Sequence, residues 1–374
     1  MKKISFGISL LFLVSLAVCP ALAQEVSSMR WYNPSMEKEH LVHNQLWNGS
    51  DIHSFYDRLP ARAENVVRKE VWNLSRNAAG LKLVFQTNAD EIIVRYTTKS
   101  KNSYAMPHFP STGVSGVDMF AENVDGSWAW ANGRYDFKDT VTYTFSKLDL
   151  DEKNYKNGRT FHLYLPLYNS IKWLEIGVKE GKSFRFIPVS AEKPIIVYGT
   201  SIAQGGCASR VGMAWTNILD RDLHTPVVNL GFSGNGRLEE ELIDLIAEKD
   251  ACVFILDCLP NLGSQVDEVH DKIQYAVNKI RSIHADTPII LVDHSSYIEN
   301  YMSTSRSVTV RKLNEVSFRT YEELQAKGVK KLFYLKNGDI SLDMNDSVDG
   351  LHPTDMGMMK YAKAYEKILK SLLK

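Results

Sequence analysis

The chain has 374 residues, with 44 Lys+Arg balanced by 44 Asp+Glu, 44% hydrophobic and 10% aromatic residues. The zero formal charge gives no basic excess for nucleic acid or an anionic surface. The length suggests two domains, and past the N-terminus no apolar run reaches the roughly 18 residues of a spanning helix.

Residues 1–23 read as an export signal. Lys2 and Lys3 precede the apolar stretch Ile4 to Val18, and Ala21-Leu22-Ala23 is an A-x-A cleavage pattern. The mature protein is thus expected to be periplasmic or secreted. Lipoprotein anchoring at Cys19 is the disfavoured alternative, because bulky Val18 stands just before it. Export permits disulfides among Cys207, Cys252 and Cys258. Cys252 and Cys258 bracket one strand and lie about 20 Å apart when extended, too far for a bridge. Cys207 and Cys258 could meet; three free thiols is the alternative.

From residue 24 to 189 the chain reads as short alternating strands: Leu81 to Gln86, Glu91 to Tyr96, Thr140 to Phe145, Phe161 to Leu165 and Leu174 to Val178. Asn-Gly pairs at 132–133 and 157–158 supply turns. This spacing predicts a β-sandwich, with an ordered loop from Lys99 to Gly126. Trp128 and Trp130 fall on one strand face, for sugar stacking or for core packing. From 190 to 374, five apolar strands alternate with amphipathic helices: Ile195 to Tyr198, Pro226 to Asn229, Cys252 to Leu256, Pro288 to Val292 and Lys331 to Leu335. Helices are expected over Ala214 to Leu223, Leu238 to Glu248, Val266 to Ile283, Val310 to Lys327 and Thr354 to Leu373. The pattern predicts a doubly wound α/β domain.

Open α/β sheets bind ligands outside the carboxyl ends of their strands. Four loops fall there: Gly199-Thr200-Ser201, Asn229-Leu230-Gly231-Phe232-Ser233-Gly234, Asp257 to Asn261, and Asp349-Gly350-Leu351-His352-Pro353. A serine hydroxyl needs a base to become a nucleophile, histidine titrates in the useful range, and a carboxylate fixes its tautomer. Ser201, His352 and Asp349 supply those types, and the Ser201 and Gly231 amides with the Asn261 side chain could donate to an oxyanion. Singly, Ser201 reads as a helix cap, Gly231 and Asn261 as turn formers; jointly they read as a site.

These four blocks resemble those of the SGNH (GDSL-like) hydrolase superfamily over about 180 residues, with Thr200 where the usual block has Asp. Gly116-Val117-Asp118-Met119-Phe120 is similar to the Gly-x-Asp-Leu-Tyr signature of a β domain that precedes such hydrolases. The resemblance implies a flavodoxin-like three-layer SGNH hydrolase domain behind an all-β, jelly-roll-like sandwich. It further implies a cofactor-independent esterase with Ser201, His352 and Asp349 catalytic and Ser201, Gly231 and Asn261 forming the oxyanion hole. The domain pairing is similar to that of exported carbohydrate esterases, so the expected partner is an acylated carbohydrate or other small ester, with acetyl as the expected acyl group. Asp118, Trp128, Trp130, His294 and Tyr297 are candidate substrate contacts; for Asp118 a turn role, and for His294 a structural role, are the competing readings. The alternatives are a lipase-like phospholipid acylhydrolase and a non-catalytic carbohydrate-binding protein on a hydrolase fold. No H-E-x-x-H or similar metal pattern occurs, and no Gly-Lys-Ser/Thr follows the glycines of 231–236.

Overall fold

The computed structural model describes residues 28–100, 103–295, 302 and 304–373. The export segment, Cys19 and Tyr297 lie outside the described residues.

Eleven strands build two antiparallel sheets. In chain order they are β1 (Met29–Tyr32), β2 (Val42–His43), β3 (Lys82–Thr87), β4 (Glu91–Thr98), β5 (Asp118–Glu122), β6 (Trp128–Ala131), β7 (Arg134–Phe137), β8 (Val141–Ser146), β9 (Arg159–Tyr164), β10 (Ile171–Lys179) and β11 (Phe184–Phe186). One sheet has the order β1-β10-β4-β8-β7; the other runs β11-β3-β9-β5-β6 with β2 alongside β3. Alternation does the sorting. Ile92, Val94 and Tyr96 of β4 point inward against Leu83, Phe85, Phe161 and Leu163 of the facing sheet, closing one core.

β5 lies inside the segment expected to be a loop. Its residues Asp118 to Ala121 are buried on both faces, so the period-two signal that marks a half-buried strand is missing. A short helix, α1 (Lys69–Ser75), and a second, α2 (Ser111–Val114), interrupt the β texture.

The remaining strands, β12 (Ile195–Gly199), β13 (Val227–Gly231), β14 (Val253–Asp257), β15 (Ile289–Val292) and β16 (Leu332–Leu335), form one parallel sheet ordered β13-β12-β14-β15-β16. Their residues are buried almost throughout, as parallel strands covered by helices must be. The helices are α3 (Ser201–Gln204), α4 (Trp215–Leu223), α5 (Glu240–Ala247), α6 (Val269–Ile283), α7 (Thr304–Ala326), α8 (Asn337–Ile340) and α9 (Asp355–Leu372). α5, α6 and α7 bury Leu242, Ile273 and Leu313 on one face of the sheet, while α4 and α9 bury Trp215 and Tyr365 on the other. This is the three-layer, doubly wound arrangement. α7 starts six residues earlier than its apolar stripe, because its first turns are polar.

The two parts share cores. Trp47, Leu59 and Trp72, from the N-terminal part, pack with Phe232, Leu238 and Leu242. Phe120 and Tyr164 of the second antiparallel sheet pack with Trp215 and Ile218 of α4.

Candidate active site

Three strand ends stand in register: Gly199 pairs with Gly231 on one side and with Asp257 on the other. The loops that follow them, and the loop before α9, meet over this edge.

Ser201 is the first residue of α3, and Thr200 is its N-cap, the Thr200 Oγ1 accepting from the Ile202 amide at 3.3 Å. The cap is therefore the residue before the serine, and Ser201 Oγ stays free of that duty. Gly199 lets the turn close: a Cβ there would sit 2.6 Å from that of Ala203. Ser201 is 4% exposed. Its Oγ lies 2.8 Å from His352 Nε2, and His352 Nδ1 lies 2.7 Å from Asp349 Oδ2. The other carboxylate oxygen, Oδ1, accepts from the amides of Leu351 at 3.0 Å and His352 at 2.8 Å. Burial alone would raise the Asp349 carboxyl, but the His352 ring and these amides outweigh it and hold it below the ordinary carboxylate range. A proton on His352 Nδ1 satisfies Asp349 and leaves Nε2 as an acceptor for the serine hydroxyl.

Donors sit around the serine. The Ser201 amide opens α3 and has no acceptor among the described residues. Asn261 closes a 3-10 turn after β14, and its Oδ1 accepts from the Gly236 amide at 3.1 Å, which fixes the side chain and leaves Nδ2 without an acceptor among the described residues. Gly236 in turn abuts the serine turn, for a Cβ there would lie 2.1 Å from the Gly199 carbonyl.

Gly231 is a correction. Its amide donates to Asn229 Oδ1 at 2.9 Å, and a Cβ on it would lie 2.2 Å from the Gln204 nitrogen. Gly231 is thus a close-packing residue between β13 and α3, with its N–H already spent. Three residues on, Gly234 is exposed, has φ +69° and open space about its Cα, and its amide has no acceptor among the described residues. Sequence reasoning could not separate the two glycines of Asn-Leu-Gly-Phe-Ser-Gly.

Two further residues come from the N-terminal part. The Tyr168 hydroxyl donates to the Ser201 carbonyl at 3.2 Å. Arg58, 2% exposed, donates from Nη1 to the carbonyls of Asn229 at 3.0 Å and Gly231 at 2.9 Å, from Nε to Asn77 at 2.8 Å and from Nη2 to Leu74 at 2.7 Å. β13 is an edge strand, and Asn229 and Gly231 are two apart, so their carbonyls face outward together. The guanidinium takes the place of the missing neighbouring strand.

The remaining candidates lie elsewhere or are otherwise engaged. Asp118 is 4% exposed and accepts from Trp130 Nε1 at 2.5 Å, from the Gly212 amide at 2.9 Å and from Arg210. It ties β5 to the α/β part, serving neither as a substrate contact nor as a turn former. Trp130 packs its ring under the Arg210 guanidinium at 4.4 Å. Trp128 donates to the Arg221 carbonyl at 3.0 Å and lines a cleft that contains none of Ser201, His352 and Asp349. His294 is buried after β15; Asn314 holds its backbone at both ends, at 2.7 and 3.2 Å, and burial lowers its ring to about 4. Cys207, Cys252 and Cys258 are free thiols. Cys207 lies close enough to Asp349 that burial and this carboxylate push it up to about 11.

The GDSL-like Lipase/Acylhydrolase family matches residues 192–370, and the family described as the N-terminus of Esterase_SGNH_hydro-type matches residues 29–184. A GDSL-like lipase candidate from Bacteroides ovatus is 30% identical and superposes with a TM-score of 0.81 over 92% of this chain and 98% of its own. A salicylyl-acyltransferase from a tetracycline biosynthetic pathway, 17% identical, reaches 0.72 over 92% and 97% of the two chains. A family two carbohydrate esterase from Cellvibrio japonicus, 12% identical, reaches 0.54 over 92% and 98%. The last two similarities concern the fold alone. No curated protein matches the chain in sequence. On its matched blocks and its similarity to the Bacteroides structure along nearly the whole length, the chain belongs to the GDSL-like (SGNH) lipase/acylhydrolase family.

Proposed function

We propose that the protein is an exported serine esterase that removes small acyl groups, acetyl first among them, from carbohydrate. The observation that carries the reading is the continuous hydrogen-bonded path from Ser201 Oγ through both ring nitrogens of His352 to Asp349. His352 Nε2 takes the hydroxyl proton as Oγ bonds to the ester carbonyl carbon. The carbonyl oxygen gains the negative charge and is met by the Ser201 amide, the Gly234 amide and Asn261 Nδ2. The C–O bond to the alcohol breaks, and that oxygen leaves with the proton from His352. Water then gives a proton to the same imidazole as its oxygen bonds to the acyl carbon; the bond to Ser201 Oγ breaks, and the imidazolium returns that proton to Oγ, freeing the acid and the serine.

Two observations favour a carbohydrate ester. The domain pairing and the fold are shared with a family two carbohydrate esterase, and no long apolar loop stands beside the serine among the described residues. Export rests on the pattern of residues 1–23.

The test is hydrolysis of p-nitrophenyl acetate, butyrate and octanoate and release of acetate from acetylated polysaccharide. Activity should fall with acyl length, and Ser201→Ala should lower turnover by about 10^4-fold or more. Ester hydrolysis undiminished in Ser201→Ala would overturn the mechanism; a preference for octanoate would overturn the acyl assignment.

A further inference from the structure

A cleft of 470 Å³ opens at the other edge of the parallel sheet. Pro194 and Pro226, which precede β12 and β13, line it. Ser201 follows the far end of β12, so the five residues of that strand, roughly 16 Å at about 3.3 Å each, separate the two places. One wall is the outer face of the β11-β3-β9-β5-β6 sheet, with Lys82, His162 and Trp128; the other is the end of α4, with Asp220 and His224.

The charges in it nearly balance, with one carboxylate in excess. Lys82 Nζ donates to Asp220 Oδ2 at 2.5 Å, the Tyr164 hydroxyl donates to the same oxygen, and Asn44 Nδ2 donates to Oδ1 at 3.1 Å. His224 Nδ1 lies 3.3 Å from Glu122 Oε1. Along the whole lining, Lys82, Lys193 and Lys249 face Glu122, Glu192, Asp220 and Asp250, three cations against four carboxylates. Nothing here attracts a phosphate or a carboxylate. Burial lowers His43 to about 4 and His162 to about 3, so both rings are neutral at neutral pH. No group of three metal-ligating side chains exists among the described residues.

Hydrogen-bonding capacity is nevertheless left over. Asn44 is 5% exposed, and neither its buried Oδ1 nor the buried Nδ1 of His162 has a partner among the described residues. The Lys82 ammonium carries three protons, one of them used on Asp220. Buried polar atoms without partners are rare in folded proteins and commonly mark a bound water or ligand. Beside them stands a fixed aromatic wall. Trp128 is pinned by its bond to the Arg221 carbonyl, stacks on His224 at 5.8 Å and 20°, and meets the edge of His162 at 4.9 Å.

A nearly balanced charge with no cationic excess, spare donors and acceptors, and an aromatic wall describe a ligand with hydroxyls on its rim, an apolar C–H face and no net charge. We propose that this cleft binds a neutral saccharide, at a site separate from Ser201. Its volume lies within the range of small-ligand pockets. The site does not depend on the esterase reading, since none of its residues touches the Ser201–His352–Asp349 path.

The test is calorimetric titration of the full chain, and of its Ser201→Ala form, with cellotetraose, xylotetraose and mannotetraose, and with trigalacturonate and inorganic phosphate as anionic probes. One or more neutral tetraoses should bind saturably to both forms, and neither anion should compete. Trp128→Ala and His224→Asn should each weaken that binding tenfold or more while leaving p-nitrophenyl acetate turnover unchanged. His224 has φ +49°, a conformation that Asn adopts readily, so this variant keeps the fold if Trp128→Ala does not. Absence of saturable binding by all three tetraoses, full binding retained by His224→Asn, or competition by either anion would overturn the proposal. Loss of ester turnover in the parent chain would strike the esterase reading alone.

Discussion

Asp349 uses its two oxygens differently. Oδ2 takes the His352 ring while Oδ1 takes the amides of Leu351 and His352, so the carboxylate is built into the same turn as the imidazole that it orients. In Asp349→Asn the turn can persist, since an amide oxygen still accepts from the backbone. The ring then loses the acceptor that holds its proton on Nδ1, and the Nε2-protonated tautomer cannot take the serine proton. Turnover of p-nitrophenyl acetate should fall by about 10^4-fold with an unchanged melting temperature; a loss under tenfold would remove Asp349 from the mechanism. The thiol nearby makes a second prediction. Burial and the Asp349 carboxylate push Cys207 up to about 11, and the thiolate is the reactive form. Iodoacetamide at pH 7.5 should therefore leave Cys207 unmodified, read by peptide mass, and leave activity intact.

At the scale of elements, the loop after β13 depends on how its edge strand is held. Arg58 joins the outward carbonyls of Asn229 and Gly231 to those of Asn77 and Leu74, and its guanidinium lies 5.0 Å over the Phe232 ring. A planar fork spans four carbonyls where an ammonium, with a single centre, reaches fewer. Arg58→Met should lower kcat by about 10²-fold, the scale of a small misplacement of catalytic groups, with KM little changed; Arg58→Lys should fall between. Equal activity in Arg58→Met at a temperature well below its melting point would show that the loop holds its shape alone. The same loop shows what a sequence discloses. The apolar runs of β12 to β16 were legible because burial on both faces leaves unbroken apolar stretches, and the serine, histidine and aspartate were legible because Ser201 follows such a run while Asp349 and His352 stand three apart just before the last helix. β5 was not: Asp118-Met119-Phe120-Ala121-Glu122 holds no β-branched residue and lies within a segment rich in Gly and Ser. Arg58 gave no signal at all: it stands 171 and 173 residues from the carbonyls that it holds. Which glycine of the loop keeps a free amide was hidden too, because that turns on the Asn229 side chain reaching Gly231.

Across the whole molecule, the two parts are joined by buried polar contacts as well as shared cores: Asp118 with Arg210, and Lys82 with Asp220. His162 sits in the second of these seams, with no hydrogen bond to its Nδ1 among the described residues. Burial, with Lys82 adding to it, lowers His162 to about 3, and burial lowers His43 and His294 to about 4. In the unfolded chain these rings take up protons near 6.5, well before the folded protein does. Between pH 6.5 and 4 the unfolded chain therefore binds more protons, and stability falls as the pH falls. Asp257 acts in the opposite sense: burial raises it to about 6, so below that pH the folded state takes up its proton first. Asp57, Asp222 and Asp293, also raised by burial, act with Asp257, and His40, also lowered by burial, acts with the three imidazoles; a comparison of one chain with its single variant isolates one ring from this sum. For His162 alone, the two units between pH 6.5 and 4.5 correspond to about 3 kcal/mol. His162→Gln removes that titration without inserting a charge. Urea unfolding at pH 7.5 and 4.5 should thus show the parent losing more stability on acidification than His162→Gln, by an amount on the order of 2–3 kcal/mol. Equal losses would mean that the ring is already protonated in the folded seam, beside Lys82, and that water reaches it there.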